Sequence, residues 1–204
     1  ITESNAFSIR LWLWAKSPLQ DGPARIFTWS QDAVVRNLTI GQISIGRLIG
    51  RVRFDNGFTN ENGVVPLEDA CMGCAEDLIG SANGSLNPES GFQQVVLQYD
   101  ALGTVELWVD DIVVDRSCVV DDMPGRFSTW DPSFGIAFGD ELSSSQPRID
   151  AVDSDRRSRQ WQGVIHSLEI YAGSVQPSQI TTWLADRPIF QASESEQEPA
   201  ASLP

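Results

Sequence analysis

The sequence is short of basic residues and of histidine. Its 204 residues include 14 Lys and Arg against 28 Asp and Glu, a formal net charge of −14, and a single His. A nucleic-acid-binding surface needs a patch of Lys and Arg to neutralise phosphates, so this balance argues against nucleic acid as a partner. It argues equally against docking on anionic lipid. We expect any membrane contact to run through a partner or through a segment outside this sequence.

Long apolar runs and cysteines are also scarce. No apolar stretch approaches the roughly 18–20 residues that cross a bilayer as a helix. The three cysteines are Cys71 and Cys74, in a C-x-x-C pair, and Cys118. A zinc site would need the lone His166 beside all three thiols, and nothing in the sequence places it there. We expect instead a disulfide that closes a long loop, either from Cys118 to one of the pair or between Cys71 and Cys74.

Apolar residues are nevertheless sufficient for a folded core. They make up 41% of the chain, with seven Trp and nine Phe, which excludes a wholly disordered protein. Residues 191–204 have no large apolar residue except Leu203 and predict a disordered acidic tail or linker. We therefore expect one domain over residues 1–190. Because the first residue is Ile and not Met, we expect a piece of a longer polypeptide.

Apolar and polar residues alternate along most of the chain, which predicts β-strands. Between residues 6 and 16, every second residue from Phe7 is apolar, while Arg10, Trp12 and Trp14 share the other face; such a strand belongs inside a layered sheet. Further strands are predicted at 25–30, 37–45, 47–54, 92–99, 104–109, 112–115, 134–138 and 162–172, and one short helix at 177–185. This pattern predicts an all-β sandwich.

Polar residues on two of these strands are candidates for a role in function. Arg47, Arg51 and Arg53 share one face and are candidate ligands for an acidic group, although such arginines commonly pair only with neighbouring carboxylates. His166 falls on the apolar, core-facing side of the last strand, which favours a structural role. Residues 55–91, rich in Asn, Gly, Ser and Pro, predict a long loop of the kind that often carries recognition.

A series of short motifs runs through the chain in a fixed order. They are FSIRLWLW from residue 7, GPARI from 22, RNLTIGQ from 36, VVLQYD from 95, ELWVDD from 106, WDP from 130, GDEL from 139 and WQGVIH from 161. Over about residues 1–185 this order resembles LamG-like (laminin G type) domains of the concanavalin A-like lectin/glucanase superfamily. The resemblance implies a jelly-roll of two antiparallel sheets with one short C-terminal helix. It also implies an extracytoplasmic location, whether periplasmic, secreted or on the cell surface.

Acidic residues could supply catalysis or bind a cation. A glycosidase needs two carboxylates that face each other across a cleft. The E-x-D-x-x-E strand of the superfamily's glucanases is absent, so we predict no enzymatic activity. Asp140 and Glu141 fall where related pentraxin-like domains place acidic ligands, and Asp153 and Asp155 follow in the same loop. Since hard cations take oxygen ligands, these four residues predict a Ca²⁺ site, unless they only pair with the arginines at 156, 157 and 159.

Sugar recognition would need an exposed aromatic ring. Most of the Trp residues fall within strands and are expected in the core, whereas Trp130, in the turn at 129–132, is expected to be exposed as a ligand platform. We predict a non-catalytic extracytoplasmic binding or scaffold module that mediates protein–protein interaction as part of a larger assembly. The alternative is a carbohydrate-binding, lectin-like module with or without calcium, and a divergent glycoside hydrolase is the least favoured function.

Overall fold

The alternating sequence pattern becomes nine β-strands in the computed structural model, which describes residues 3–20, 24–31, 36–43, 47–53, 85–118, 127, 130–140 and 160–189. The strands are β1 Phe7–Ala15, β2 Ala24–Ser30, β3 Arg36–Gln42, β4 Leu48–Val52, β5 Gln93–Tyr99, β6 Thr104–Val109, β7 Ile112–Cys118, β8 Gly135–Phe138 and β9 Gly163–Ala172. A short helix, α1, spans Pro177–Thr182 and continues as a 3₁₀ turn over Trp183–Asp186. The predicted terminal helix is therefore confirmed.

The strands form two sheets, and every pairing between them is antiparallel. One sheet has five strands in the order β7-β6-β5-β1-β9, and the other has four in the order β4-β3-β2-β8. The predicted interior strand β1 is flanked on both sides, with Ile9 opposite Leu97 of β5 on one side and Ile170 of β9 on the other. The prediction of an all-β, two-sheet antiparallel sandwich is confirmed.

The core lies between the two sheets. The predicted apolar face of β1 forms its centre, since Phe7, Ile9, Leu11, Leu13 and Ala15 are all buried there. The facing sheet contributes residues such as Leu48 and Val52, while Gly50 between them allows close approach, because a Cβ at this position would lie 2.7 Å from Cδ1 of Leu97.

A second, smaller apolar cluster covers the outer face of the five-stranded sheet. Ile180 and Trp183 from the C-terminal helical segment pack there against Val96 and Trp108. Arg10, on the outer face of β1, is only 4% exposed beneath this segment. A buried guanidinium is tolerated only when its N–H groups are paired. Arg10 meets this requirement through Gln94, the two carboxylates Glu169 and Asp186, and the backbone carbonyl of Trp183.

Buried glutamines fasten the chain segments at one end of the sandwich. The Gln42 side-chain oxygen accepts from the Trp161 indole at 2.9 Å and from the Gln20 amide at 3.1 Å. The Gln20 oxygen in turn accepts from the backbone N–H of Gln162 at 2.7 Å. These bonds join the chain after β1 to the end of β3 and to the start of β9. Two residues of the sequence motifs, Gln42 and Trp161, thus have a structural role.

Two features bear on the limits of the fold. Among the described residues, no helix combines the length and the apolar character needed to cross a membrane. Residues 190–204 lie outside the described residues, so the division into a domain over 1–190 and a tail over 191–204 stays a prediction.

Candidate functional site

Trp130 lies in the core, so the prediction that it is exposed is wrong. It is 7% exposed and packs against Phe127, Phe7 and Trp29, with ring centroids 4.6, 5.7 and 5.3 Å away. Its indole N–H donates to the backbone carbonyl of Arg53 at 2.7 Å. The ring therefore fastens the end of β4 to the core. A sugar could not stack on it in this position.

The turn after Trp130 folds inward because of Asn37. The side-chain amide of Asn37 donates to the carbonyl of Asp131 at 2.9 Å, and its oxygen accepts from the Asp131 N–H at 3.2 Å. Asn37 begins an N-x-T sequon, but its full burial leaves no room for a glycan. The Asp131 carboxylate accepts hydrogen bonds from the side chain and the backbone N–H of Ser133, which lower its pKa.

The three predicted ligand arginines lie on or beside β4. Arg47 is exposed, Arg51 and Arg53 are half-buried, and all three alternate with the core-facing residues of the strand. Arg51 lies opposite Thr39 of β3, and the backbone N–H of Arg53 donates to the carbonyl of Asn37. Their binding of an acidic ligand stays a prediction.

The predicted calcium and disulfide sites fall mostly outside the described residues. Glu141, Asp153 and Asp155 of the predicted calcium site lie outside them, and so do Cys71 and Cys74 of the predicted disulfide. Asp140 is exposed and accepts from the Gln160 amide at 3.4 Å, and the described ranges hold no group of three or more His, Cys, Asp or Glu suited to a metal ion. Cys118 ends β7 opposite Thr104. Both sites stay predictions.

His166 does not face the core, contrary to the prediction. The register of β9 against β1 shifts between Trp12 and Leu13, which lie opposite Ser167 and Ile165, so His166 sits in a bulge. It is exposed, with its ring edge-on to Phe92 at a centroid distance of 5.4 Å. An extra residue in one strand reverses the alternation beyond it. Hence Val164 lies on the outer face although Leu168 and Ile170 face inward.

Two carboxylates lie on the outer face of the five-stranded sheet, but they do not form a glycosidase pair. Glu106 on β6 and Glu169 on β9 are three interstrand steps apart, about 14 Å at the usual strand spacing. Glycosidase carboxylates are separated by about 5–9.5 Å. Each carboxylate also has an arginine partner: Arg116 bonds Glu106 at 2.7 Å, and Arg10 bonds Glu169 at 3.2 Å.

A polar groove of about 320 Å³ lies beside Glu106, at the side of the five-stranded sheet that ends in β7. Its lining includes Gln98, Asp100 and Arg116, and residues 174–177 close the side toward the helix. Several of the polar groups that line the groove hydrogen-bond to one another. Gln98 donates to Glu106 at 2.7 Å and accepts from the backbone N–H of Val175 at 3.2 Å. These bonds hold the segment before α1 against the sheet.

On the opposite side of the sandwich, core-facing apolar residues remain exposed. Ile136 and Phe138 of β8 lie opposite Trp29 and Phe27 of β2, and they are 49% and 50% exposed. Ile170 of β9 lies opposite Ile9 of β1 and is 42% exposed. We call Ile136, Phe138 and Ile170 the β8/β9 side. Side chains in this orientation are ordinarily covered by a further strand or loop.

The β8 and β9 strands are at the same side of the molecule. Gly139, which follows β8, donates to the carbonyl of Ile26 and accepts from the N–H of Trp161, which precedes β9. Gln160 extends the line of β8 by bridging to Arg25 of β2. The two edge strands therefore lie at the same side of the sandwich, and sequence analysis missed this surface because exposure at an edge depends on which strand lies last in each sheet.

No family model matches the sequence, and no curated protein matches it, so membership of the LamG-like family stays a prediction. Solved structures do resemble the fold. The binding domain of botulinum neurotoxin serotype C1 superposes with a TM-score of 0.51 at 14% identity, over 92% of this chain and 38% of that chain. The binding domain of Paraclostridial Mosquitocidal Protein 1 gives 0.51 at 12% identity, over 89% and 37%. This chain thus spans less than two fifths of the solved chains, and the likeness shows a shared β-sandwich fold.

Proposed function

We propose that this chain is a non-catalytic, extracytoplasmic binding and scaffold module that joins a protein partner in a larger assembly. The observation that carries the proposal is the β8/β9 side. Three apolar side chains that face the core, Ile136, Phe138 and Ile170, are each about half exposed at one side of the sandwich. Clustered apolar surface of this kind is typical of protein interfaces, whereas apolar residues scattered singly are ordinary.

A protein partner fits this surface better than a glycan does. Sugar-binding modules present an aromatic ring to solvent, but none of the seven Trp rings is exposed: five are buried, and Trp14 and Trp29 are half-buried. The residue assigned to sugar stacking, Trp130, holds the core together. Because Trp130 is not exposed, the lectin-like alternative no longer has the residue that was expected to stack on a sugar.

The solved relatives support a binding function in general terms. Two of them are, by their names, the binding domains of a botulinum neurotoxin and of a mosquitocidal protein. A shared fold does not by itself transfer a ligand. The separation of Glu106 and Glu169 and their pairing with arginines also support a module without glycosidase activity.

The mass of the native particle tests the proposal. The chain should be purified from the cells that make it, in mild detergent, and the particle sized by light scattering. We expect a particle much larger than the 22.4 kDa chain, with a fixed ratio of partner to chain after repeated purification. A free 22.4 kDa species would contradict the proposal, and glycan binding by that species, lost on chelation of calcium, would establish the lectin-like alternative.

A further inference from the structure

We infer that the partner supplies an extended, positively charged segment that pairs as an additional strand with β9 and covers the β8/β9 side. This inference rests on the proposed function and specifies its contact. An edge strand presents unpaired backbone N–H and C=O groups on its outer side, which an extended segment of another chain can satisfy. Among the described residues, β9 pairs with β1 alone.

The β9 strand lacks the features that keep strand edges from pairing. Natural edges are protected by shortness, by Pro or by outward charges, Lys above all. With ten residues β9 is the longest described strand, and it contains neither Pro nor Lys. Its one formally charged residue at neutral pH, Glu169, is held by Arg10. The bulge at His166 interrupts the first half, which leaves residues 167–172 as a regular run for pairing.

The other edges are less suited to a new strand. β4 has only five residues, fewer than the regular run of six in β9. β8 has four residues, too few for a stable pairing of its own. β7 has seven residues, and a register shift between the partners of Leu107 and Trp108 divides it into two shorter runs. A strand added to β9 would in addition continue the inward apolar row at Ile170 and shield Phe138 and Ile136 from water.

The charge of the segment follows from the groups around the β8/β9 side. The side chains of Asp186 and Glu169 next to β9 are 67% and 39% exposed. Of the cations among the described residues, Arg10 is buried and bonded to both of these carboxylates, Arg187 is bonded to Asp110, and Lys16 lies where β9 begins. With a chain charge of −14, this region attracts a basic segment and repels an acidic one, including a second copy.

Hydrogen exchange on the native particle and on the isolated full-length chain tests the pairing. We expect the backbone amides of residues 167–172 that point away from β1, which are every second one, to exchange at least about tenfold more slowly in the particle, since a new ladder of hydrogen bonds closes them. The amides of β7 that point away from β6 serve as the unpaired-edge control and do not change. Because basic groups face carboxylates, retention of the chain in the particle should fall severalfold as NaCl is raised from about 0.05 to about 0.5 M.

The outcomes separate this inference from the proposed function. A large particle in which β9 exchanges as fast as in the isolated chain overturns strand addition and leaves the function standing. If exchange in β9 is slowed but retention of the chain in the particle does not depend on salt, the inference that the segment is positively charged is overturned. Slowed exchange in the isolated chain that increases with its concentration identifies a second copy as the occupant and also overturns the inference. A chain that occurs only free overturns the function itself.

Discussion

The guanidinium of Arg10 donates to the backbone carbonyl of Trp183, 173 residues later in the sequence, at 2.9 Å. It also lies over the Trp183 ring, 4.9 Å from the centroid. Trp183 lies where α1 passes into the 3₁₀ turn, and its carbonyl accepts this hydrogen bond from a buried cation. Arg10 of the interior strand β1 therefore helps to hold the C-terminal segment on the sheet, together with the apolar contacts of Ile180 and Trp183.

Replacement of Arg10 by Met should lower the free energy of unfolding by about 2–3 kcal/mol, because it removes the buried donor to Gln94 and to the Trp183 carbonyl while Glu169 keeps partial access to water. Urea denaturation followed by Trp fluorescence measures the change. Arg187→Met is the matched control, since this arginine bonds Asp110 at the surface and should cost less than about 1 kcal/mol. An equal loss of stability in the two variants would show that the buried contacts of Arg10 contribute no more than a surface ion pair does.

Replacement of Gln42 by Leu should lower the free energy of unfolding by about 2–4 kcal/mol, because the Trp161 indole N–H loses its acceptor inside the protein and the Gln20 amide loses one of its acceptors. Gln176→Leu, at an exposed position before α1, should change it by no more than about 0.5 kcal/mol. Thermal unfolding of both variants measures these two changes in stability. A stable Gln42→Leu protein would mean that water replaces the network without loss.

Two glycines should respond differently to Ala. At Gly163 a Cβ would collide with the Trp14 carbonyl and the Trp161 ring, and the backbone cannot move aside, so we expect Gly163→Ala to cost about 3 kcal/mol or more. At Gly50 the collision is with the end of the Leu97 side chain, which can rotate, and the expected cost is about 1 kcal/mol. Chemical denaturation gives both values, and the opposite ranking would contradict the packing described here.

Stability should fall at high pH through Tyr171. Burial raises the pKa of its phenol, and the hydrogen bond that it donates to Glu169 raises it further. A pKa above the unfolded value near 10 stabilises the folded protein fully below that pH. This contribution is lost as the pH rises through the folded pKa. Melting temperatures measured between about pH 8 and 12 should therefore decline more steeply for the native chain than for Tyr171→Phe, and parallel curves would exclude the effect.

Charge placed on the β8/β9 side should release the chain from its assembly. Phe138→Lys and Ile170→Lys each put an ammonium where we expect a basic, apolar segment, so we expect at least about a tenfold loss of chain from the purified particle. Leu102→Lys is the matched control, because Leu102 is 88% exposed in the turn before β6.

Circular dichroism and melting temperature should confirm that all three variants fold. If folded Phe138→Lys and Ile170→Lys chains remain in the particle as fully as Leu102→Lys, the partner does not use this side. In the isolated chain, the first two variants should also bind less of an apolar dye than the control does.

The sequence predicted local features well and long-range ones poorly. The alternation in β1 identified its two faces, since side-chain direction follows from a period of two. Trp130 was assigned to the surface because turn residues mark where the chain bends, but the direction of that bend depends on Asn37, far away in sequence. The His166 error has a similar origin, because a bulge in β9 leaves no trace in the composition of the strand. The exposure of the β8/β9 side could not be predicted, because it depends on which strands lie at the edges of the two sheets.

The interior position of β1 also bears on how the protein folds. This strand pairs with β5 and with β9, and the paired residues lie 80 to 165 positions later along the chain. During synthesis β1 therefore leaves the ribosome long before either neighbour exists, and no early native pairing protects its apolar face. Folds dominated by such distant contacts form slowly. The apolar face of β1 thus stays without its native neighbours until β5 and then β9 have been made.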